Sequence, residues 1–369
     1  IPYICKGTLC QFGGFAIMPF ALLVLSGYGE AYDAPRWIGL SAAALSFLLV
    51  GAGVHIVQTV GLALATNLVK EEDQPKVVGL MYVMLLPGMM VSALIYGALL
   101  EHYTPGRLVQ IIQGTAVITV ALNLCAMWKQ EARNRERAQE MKVAKPLPFK
   151  VAFTNLAQTE GMIRLLIVIC LGTFGFGMAD VLLEPYGGQA LGLSVASTTK
   201  LTALFAGGTL IGFAIASRLL SQTSLPHNVA LAGIAFGIPG FGAIIFASLD
   251  GGTISFLIGT FLVGVGAGLF GHATLTATMR AAPREQVGLA LGAWGAAQAT
   301  SAGLGVALAG IVRDLVVGLQ GATGNVAQTP YNIVFTIEII SLAAAVLVIW
   351  PLLKKTTKRN IPSNQAEAL

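Results

Sequence analysis

Residues 162–183 read MIRLLIVICLGTFGFGMADVLL, and Arg164 and Asp180 are the charged positions in the run. A helix rises about 1.5 Å per residue and the hydrocarbon core of a bilayer is about 30 Å thick, so a run of this length and apolarity spans a membrane. The alternation of a barrel strand is missing from it. Nine further stretches of the same kind flank it, at about 8–27, 38–67, 77–100, 107–128, 196–220, 228–248, 253–279, 286–312 and 331–353. Turn residues separate several of them: Gly27-Tyr28-Gly29, Thr104-Pro105-Gly106, Pro185-Tyr186-Gly187-Gly188, Asp250-Gly251-Gly252 and Pro283. Pro185 is expected to end the fifth span just after Glu184.

Composition agrees with ten spans. Of 369 residues 55% are hydrophobic and 11% charged, less than half the share of roughly 25% usual in soluble domains. Mean hydropathy is +0.77. A soluble multi-domain enzyme, a disordered chain and a disulfide scaffold are thereby set aside. Cys5, Cys10, Cys125 and Cys170 show no metal-ligand spacing. The 44 glycines suit closely approaching membrane helices. The net charge of +5 follows from the loops and does not point to nucleic acid.

Basic residues orient the spans. One set of flanks holds only Arg36, Arg107, Lys200 and Arg313; the opposite set holds the remainder of the 22 Lys and Arg, including eight between Lys129 and Arg164. The basic side is expected to be cytoplasmic, with both termini there. Residues 129–161 are a charged, Pro-containing linker expected to carry an amphipathic helix on the membrane surface. The expected organisation is 1–128, a four-helix bundle; 129–161, the linker; 162–353, a six-helix bundle; and 354–369, a cytoplasmic tail. A four-plus-six division, and a start at Ile1-Pro2-Tyr3 that reads as mid-loop, lead us to expect ten helices of a twelve-helix protein built from two six-helix halves.

Several segments carry a family resemblance: IPYICKGTLCQFGGFAIMPFALLVLSG (1–27), GAGVHIVQTVGLALATN (51–67), GLMYVMLLPGMMVSALIYGALL (79–100) with RLVQIIQG (107–114), and most specifically ADVLLEPYGGQALGLSVASTTKLTALFAGGTLIG (179–212). Together they resemble the PucC/LhaA family, the bacteriochlorophyll-delivery branch of the major facilitator superfamily. The resemblance implies an all-α polytopic membrane protein with the major facilitator fold. It implies residence in the photosynthetic intracytoplasmic (inner) membrane of a bacterium. It also implies a role in assembling light-harvesting antenna complexes, with bacteriochlorophyll as cargo and antenna polypeptides or a reaction-centre–antenna complex as partners. The chain departs from the superfamily's loop motif, because the stretch from Gly212 to Arg218 keeps Gly and Arg and lacks Asp. That weakens the expectation of conventional proton-coupled transport.

Ionisable groups at membrane depth are costly, and so are candidates for function. His55 lies mid-span with Gln58 and Thr59 one turn away, and its imidazole could ligate a chlorin magnesium or simply bond a neighbouring helix. His272, the other candidate pigment ligand, follows Gly264, Gly266, Gly268 and Gly271. These glycines are expected to form one smooth face for a neighbouring helix or a flat macrocycle. Asp180 and Glu184, four apart, share a helix face, and one of them must be paired or neutral; Lys200 is the expected partner, in a gate or lock or a proton-coupling pair, the alternative being an antenna-contact site. Glu338 is expected to pair with Arg313. Gln113, Asn123 and Gln298 are candidates for bonds across helices. With four His in the chain and His102 and His227 read as loop residues, no catalytic constellation arises, and no enzyme activity is expected. The competing readings are a small-molecule transporter of the same fold and an antenna-docking chaperone that binds no pigment.

Overall fold

Long apolar runs without strand alternation satisfy their backbone groups internally as helices. The computed structural model describes residues 2–27, 35–67, 69, 74–128, 149–221, 225–250, 252–283, 286–320 and 328–359. Along them run α1 (Pro2–Ser26), α2 (Arg36–Asn67), α3 (Gln74–Leu99), α4 (Pro105–Met127), α5 (Phe149–Gln158), α6 (Met162–Gly177), α7 (Ala179–Leu191), α8 (Val195–Ser221), α9 (Pro226–Asp250), α10 (Thr253–Ala281), α11 (Val287–Gln320) and α12 (Thr329–Arg359). Among the described residues ten spans are long and apolar enough to cross a membrane, α6 and α7 together forming one of them. The chain is a multi-pass membrane protein.

The fifth span does not end at Pro185. Pro185 lies inside α7, and Pro19, Pro87, Pro239 and Pro351 likewise lie inside helices. Membrane helices tolerate this because neighbouring groups satisfy the freed carbonyls. The helical hydrogen bonding is interrupted instead at Met178, between α6 and α7, although Met178 keeps helical φ and ψ of −69° and −35°. The span stops at Gly192, whose φ of 66° is left-handed, and the Leu193 N–H closes back on the Gly187 carbonyl at 3.0 Å. His227, read as a loop residue, is the second residue of α9.

Two compact units emerge: Ile1–Met81 with Ala98–Leu147, and Tyr82–Gly97 with Pro148–Leu369. The middle of α3 thus belongs with the second unit. In the first unit α1 packs on α2 and α4. Gly7 and Gly14 of α1 approach Gly53 and Ser46 of α2 so closely that the Ser46 hydroxyl donates to the Gly14 carbonyl at 2.9 Å. Asn123 of α4 donates to Thr8 of α1 at 3.0 Å.

In the second unit α10 lies between α8 and α9, and α12 packs on α6 and α9. Its core includes a chain of buried rings, Phe270, Phe176, Phe241, Phe335 and Tyr186, with successive centroids 5.6 to 6.3 Å apart. The Ser341 hydroxyl donates to the Leu171 carbonyl at 2.8 Å, joining α12 to α6. Within the 129–161 linker, α5 is described. Its Leu156 is buried against Met162 and Ala290, while Val151 and Phe153 are exposed. The charged run Arg133–Arg137 lies outside the described residues, as do positions 360–369 of the tail.

Candidate functional site

The glycines of α10 do not make one open face. Gly264 and Gly268, four apart, meet the backbone of α8 at Phe205 and Thr209. Gly266, half a turn round, meets Gly233 and Gly237 of α9. A hundred degrees per residue puts 264 and 268 together and 266 on the opposite side, so the stripe clamps α10 between two helices. Gly271 differs from these three, since a Cβ there would meet nothing within 4 Å.

Gly271 borders a groove of about 180 Å³. Thr209 and Phe213 of α8, four apart, share a face towards it. Ala267, Gly268, Gly271 and Leu275 line it from α10, Trp294 and Gln298 from α11, and Leu85 and Leu86 from the middle of α3. The lining is apolar apart from Thr209, Gln298 and the indole N–H of Trp294. That N–H donates to Thr274 Oγ1 at 3.3 Å, and Thr209 donates to the Phe205 carbonyl of its own helix at 2.9 Å. A second hollow, about 310 Å³, is lined by α12 residues only and is a surface depression.

His272 stands beside this groove. Its ring lies edge-on against Phe213, with centroids 4.2 Å apart. Its Nδ1 is buried and finds no hydrogen-bond partner among the described residues. Phe213, Trp294 and the leucines of α3 were not singled out from sequence. The α8 pair Thr209/Phe213 has the right spacing, but nothing local says that α3 and α11 close the same space. His55 and Gln58 are exposed on α2 of the first unit, and the unit's interior does not include them.

The expected ion pairs are replaced by others. Asp180 and Glu184 share α7, but Lys200 is exposed and is not their partner. The Glu184 carboxylate instead accepts from the Thr202 hydroxyl at 2.5 Å. The aliphatic stem of Lys200 lies near Gly97 of α3. Arg313 pairs with Asp314 at 3.0 Å and donates to Gln189 at 3.1 Å, and Tyr331 donates to the same Gln189 oxygen at 2.6 Å. Glu338 therefore lacks the expected guanidinium. It lies seven residues beyond Tyr331, about 10 Å further along α12, which is out of reach of Arg313 where Gln189 and Tyr331 hold it. Among the cross-helix candidates Asn123 makes its bond, Gln298 lines the groove and Gln113 is exposed. No cluster of three or more His, Cys, Asp or Glu able to hold a metal occurs among the described residues.

The family described as PUCC protein matches residues 1–357 of the chain. The chain is 67% identical over 356 residues to Protein PucC of Rhodobacter capsulatus, covering 96% of this chain and 77% of that protein. It is 58% identical over 334 residues to Protein PucC of Rhodovulum sulfidophilum, covering 90% and 73%. A more distant relative is the bacteriochlorophyll synthase 44.5 kDa chain of Rhodobacter capsulatus, 25% identical over 314 residues, covering 82% and 72%. Among solved structures, the D-xylose–proton symporter superposes with a TM-score of 0.63 at 14% identity, covering 94% of this chain and 80% of that one. A bacterial homologue of the iron transporter ferroportin gives 0.62 at 17%, covering 95% and 82%. The major facilitator superfamily transporter FucP gives 0.52 at 14%, covering 92% and 83%. At these identities the likeness establishes the fold, which is that of the major facilitator superfamily.

Proposed function

The chain belongs to the PucC protein family, and on that premise we propose that it is a non-enzymatic assembly factor that holds bacteriochlorophyll and passes it to light-harvesting antenna polypeptides. The observation that carries the reading is the groove of Leu85, Leu86, Phe213, Gly271, Trp294 and Gln298, with His272 edge-on against its Phe213 wall. Such a lining suits a flat, apolar ring better than a sugar, whose hydroxyls need several hydrogen-bond partners each. The relative whose name includes bacteriochlorophyll synthase supports a cargo of this kind.

Size limits how the cargo sits. Sites that enclose a drug-sized molecule measure roughly 300–1,000 Å³. A groove of about 180 Å³ takes one edge of a macrocycle, and the rest of the ring and its tail lie against lipid and exposed apolar side chains. Burial of that apolar surface is the driving force. His272 would add a nitrogen contact to the ring's magnesium if its edge-on contact with Phe213 turned so that the imidazole nitrogen faced the groove. His55 and Gln58 are a second place for such a contact, on α2. The basic flanks support cytoplasmic termini in the photosynthetic membrane, with antenna polypeptides or a reaction-centre–antenna complex beside the protein in the bilayer.

The major facilitator fold favours one competing reading, transport of a small molecule. An absorption spectrum of the gently purified protein, freed of antenna complexes and with pigment extracted and counted, separates the readings. Stoichiometric bacteriochlorophyll that falls in a folded His55→Leu/His272→Leu protein supports the proposal and its ligands. Unchanged pigment in that variant overturns the histidine assignment. A folded, colourless wild-type protein overturns pigment holding and leaves a docking chaperone or a transporter of another cargo.

A further inference from the structure

Glu338 is 0% exposed, and neither carboxylate oxygen has a hydrogen-bond partner. It sits where the fifth span is broken. Gly175, two residues before the end of α6, packs against Leu342 and the Glu338 carbonyl, and the backbone N–H of Ala179, the first residue of α7, is directed at the carboxylate without completing a bond. On another side of the break, Gly177 packs on Ala302 and Gly305 packs on Phe174 and Met178. The carboxyl group is thus buried where α12 packs on the α6–α7 junction, near Leu342 on its own helix face.

We propose that Glu338 is a proton-binding site: its carboxyl carries a proton while α12 lies packed on the α6–α7 break, and the proton leaves when that packing opens. A carboxylate buried with no counter-charge and no completed hydrogen bond is far costlier than the neutral acid, whose O–H can turn to a nearby carbonyl. A membrane interior without water sharpens the difference.

The elements packed on α12 offer no compensating charge. α6 carries Arg164 in its first turn and Cys170. On α7, Asp180 is exposed, Glu184 is held by Thr202, and Tyr186 donates to the Ile244 carbonyl. α9 carries His227 in its first turn and ends at Asp250, and the Arg313 and Asp314 of α11 pair with each other. On α12 itself Tyr331 is bonded to Gln189, and Lys354 to Arg359 lie at the far end. None of these groups pairs with Glu338.

Loss of the proton would place a charge in this packing and favour separation of α12 from the break. Linkage makes that opening grow about tenfold per pH unit above the titration point. The test uses the full chain in lipid nanodiscs and needs no pigment, so its outcome is independent of the cargo reading. Infrared difference spectra between wild type and Glu338→Gln are expected to show a protonated-carboxyl stretch at neutral pH that the variant lacks. Raising the pH should abolish the band and speed hydrogen–deuterium exchange in peptides covering 171–183 and 334–345, beyond the intrinsic pH effect, while Glu338→Gln stays slow throughout. Absence of the acid band at neutral pH overturns the proposal. So does a band that persists, with unchanged exchange, at every pH where the protein stays folded. Should Glu338→Gln not fold, Glu338→Asp serves in its place; it must shift the band's frequency, and an unshifted band overturns the assignment.

Discussion

The Thr202 hydroxyl donates to the Glu184 carboxylate at 2.5 Å, fastening α7 to α8 across the turn at Gly192. Lys200, two residues before Thr202, is exposed and takes no part. Thr202→Val should therefore destabilise the protein by about 1 kcal/mol, the typical net worth of one hydrogen bond, since Glu184 is only half-buried. Lys200→Gln should stay within about 0.5 kcal/mol of wild type. Unfolding in mixed detergent–SDS micelles reads both. A larger loss at Lys200 than at Thr202 would restore the ion pair as the lock.

Arg313 of α11 is committed to Gln189 and Asp314, and Tyr331, which shares that Gln189 oxygen, lies about 10 Å along α12 from Glu338. A double-mutant cycle of Arg313→Ala and Glu338→Gln should give a coupling energy below about 0.3 kcal/mol, whereas residues in contact give roughly 0.5–3. Gln189→Leu removes the acceptor shared by Arg313 and Tyr331 and should cost about 1–2 kcal/mol alone. Strong coupling in the cycle would mean that Arg313 reaches the buried carboxyl.

The spans were legible because hydropathy and turn residues are local properties. Each expected stretch overlaps one of the ten observed spans, most ends within two residues and the start of the first and the ends of the fifth and ninth shifted by about two turns. The end of the fifth span was not legible from Pro185, since a proline that stops a helix in water is tolerated in a bilayer. The signal that marks the end is Gly192, seven residues on. The glycine spacing of α10 was legible in principle, because 264 and 268 fall on one side and 266 on the other. Partners of charged groups were not: Lys200 and Thr202 both lie early in α8, and only the rotation of that helix against α7 selects the threonine. The same holds for Phe213, whose edge-on contact with His272 depends on how α8 meets α10.

Asn123 and Thr8 form a cross-helix side-chain pair in the first unit, at 3.0 Å. Thr8 also donates to its own Ile4 carbonyl at 2.9 Å, so its oxygen is free to accept from the amide. Thr8→Val should cost only about 0.6 kcal/mol, the average for such bonds between membrane helices, because the unfolded chain in lipid also finds partners. Asn123→Leu should cost a similar amount, and the double variant no more than either single. Additive losses in the micelle unfolding assay would show that the two residues act separately.

Gly268 and Gly271 are one turn apart on α10, border the same groove, and should respond in opposite ways. A side chain at Gly268 collides with the Thr209 carbonyl of α8, which cannot move without shifting the helix. Gly268→Leu should therefore destabilise the protein by about 1–3 kcal/mol or more, the cost of overpacking, with loss of bound pigment only as a consequence of misfolding. A Cβ at Gly271 meets open space, so Gly271→Leu should leave stability within about 0.5 kcal/mol while its side chain occupies the groove. Pigment binding should then weaken at least about tenfold, equivalent to 1.4 kcal/mol. Unfolding curves and extracted pigment counts on the same preparations distinguish the two effects. A folded Gly271→Leu protein that keeps its full pigment load would place the cargo elsewhere than between Phe213, Trp294 and α10.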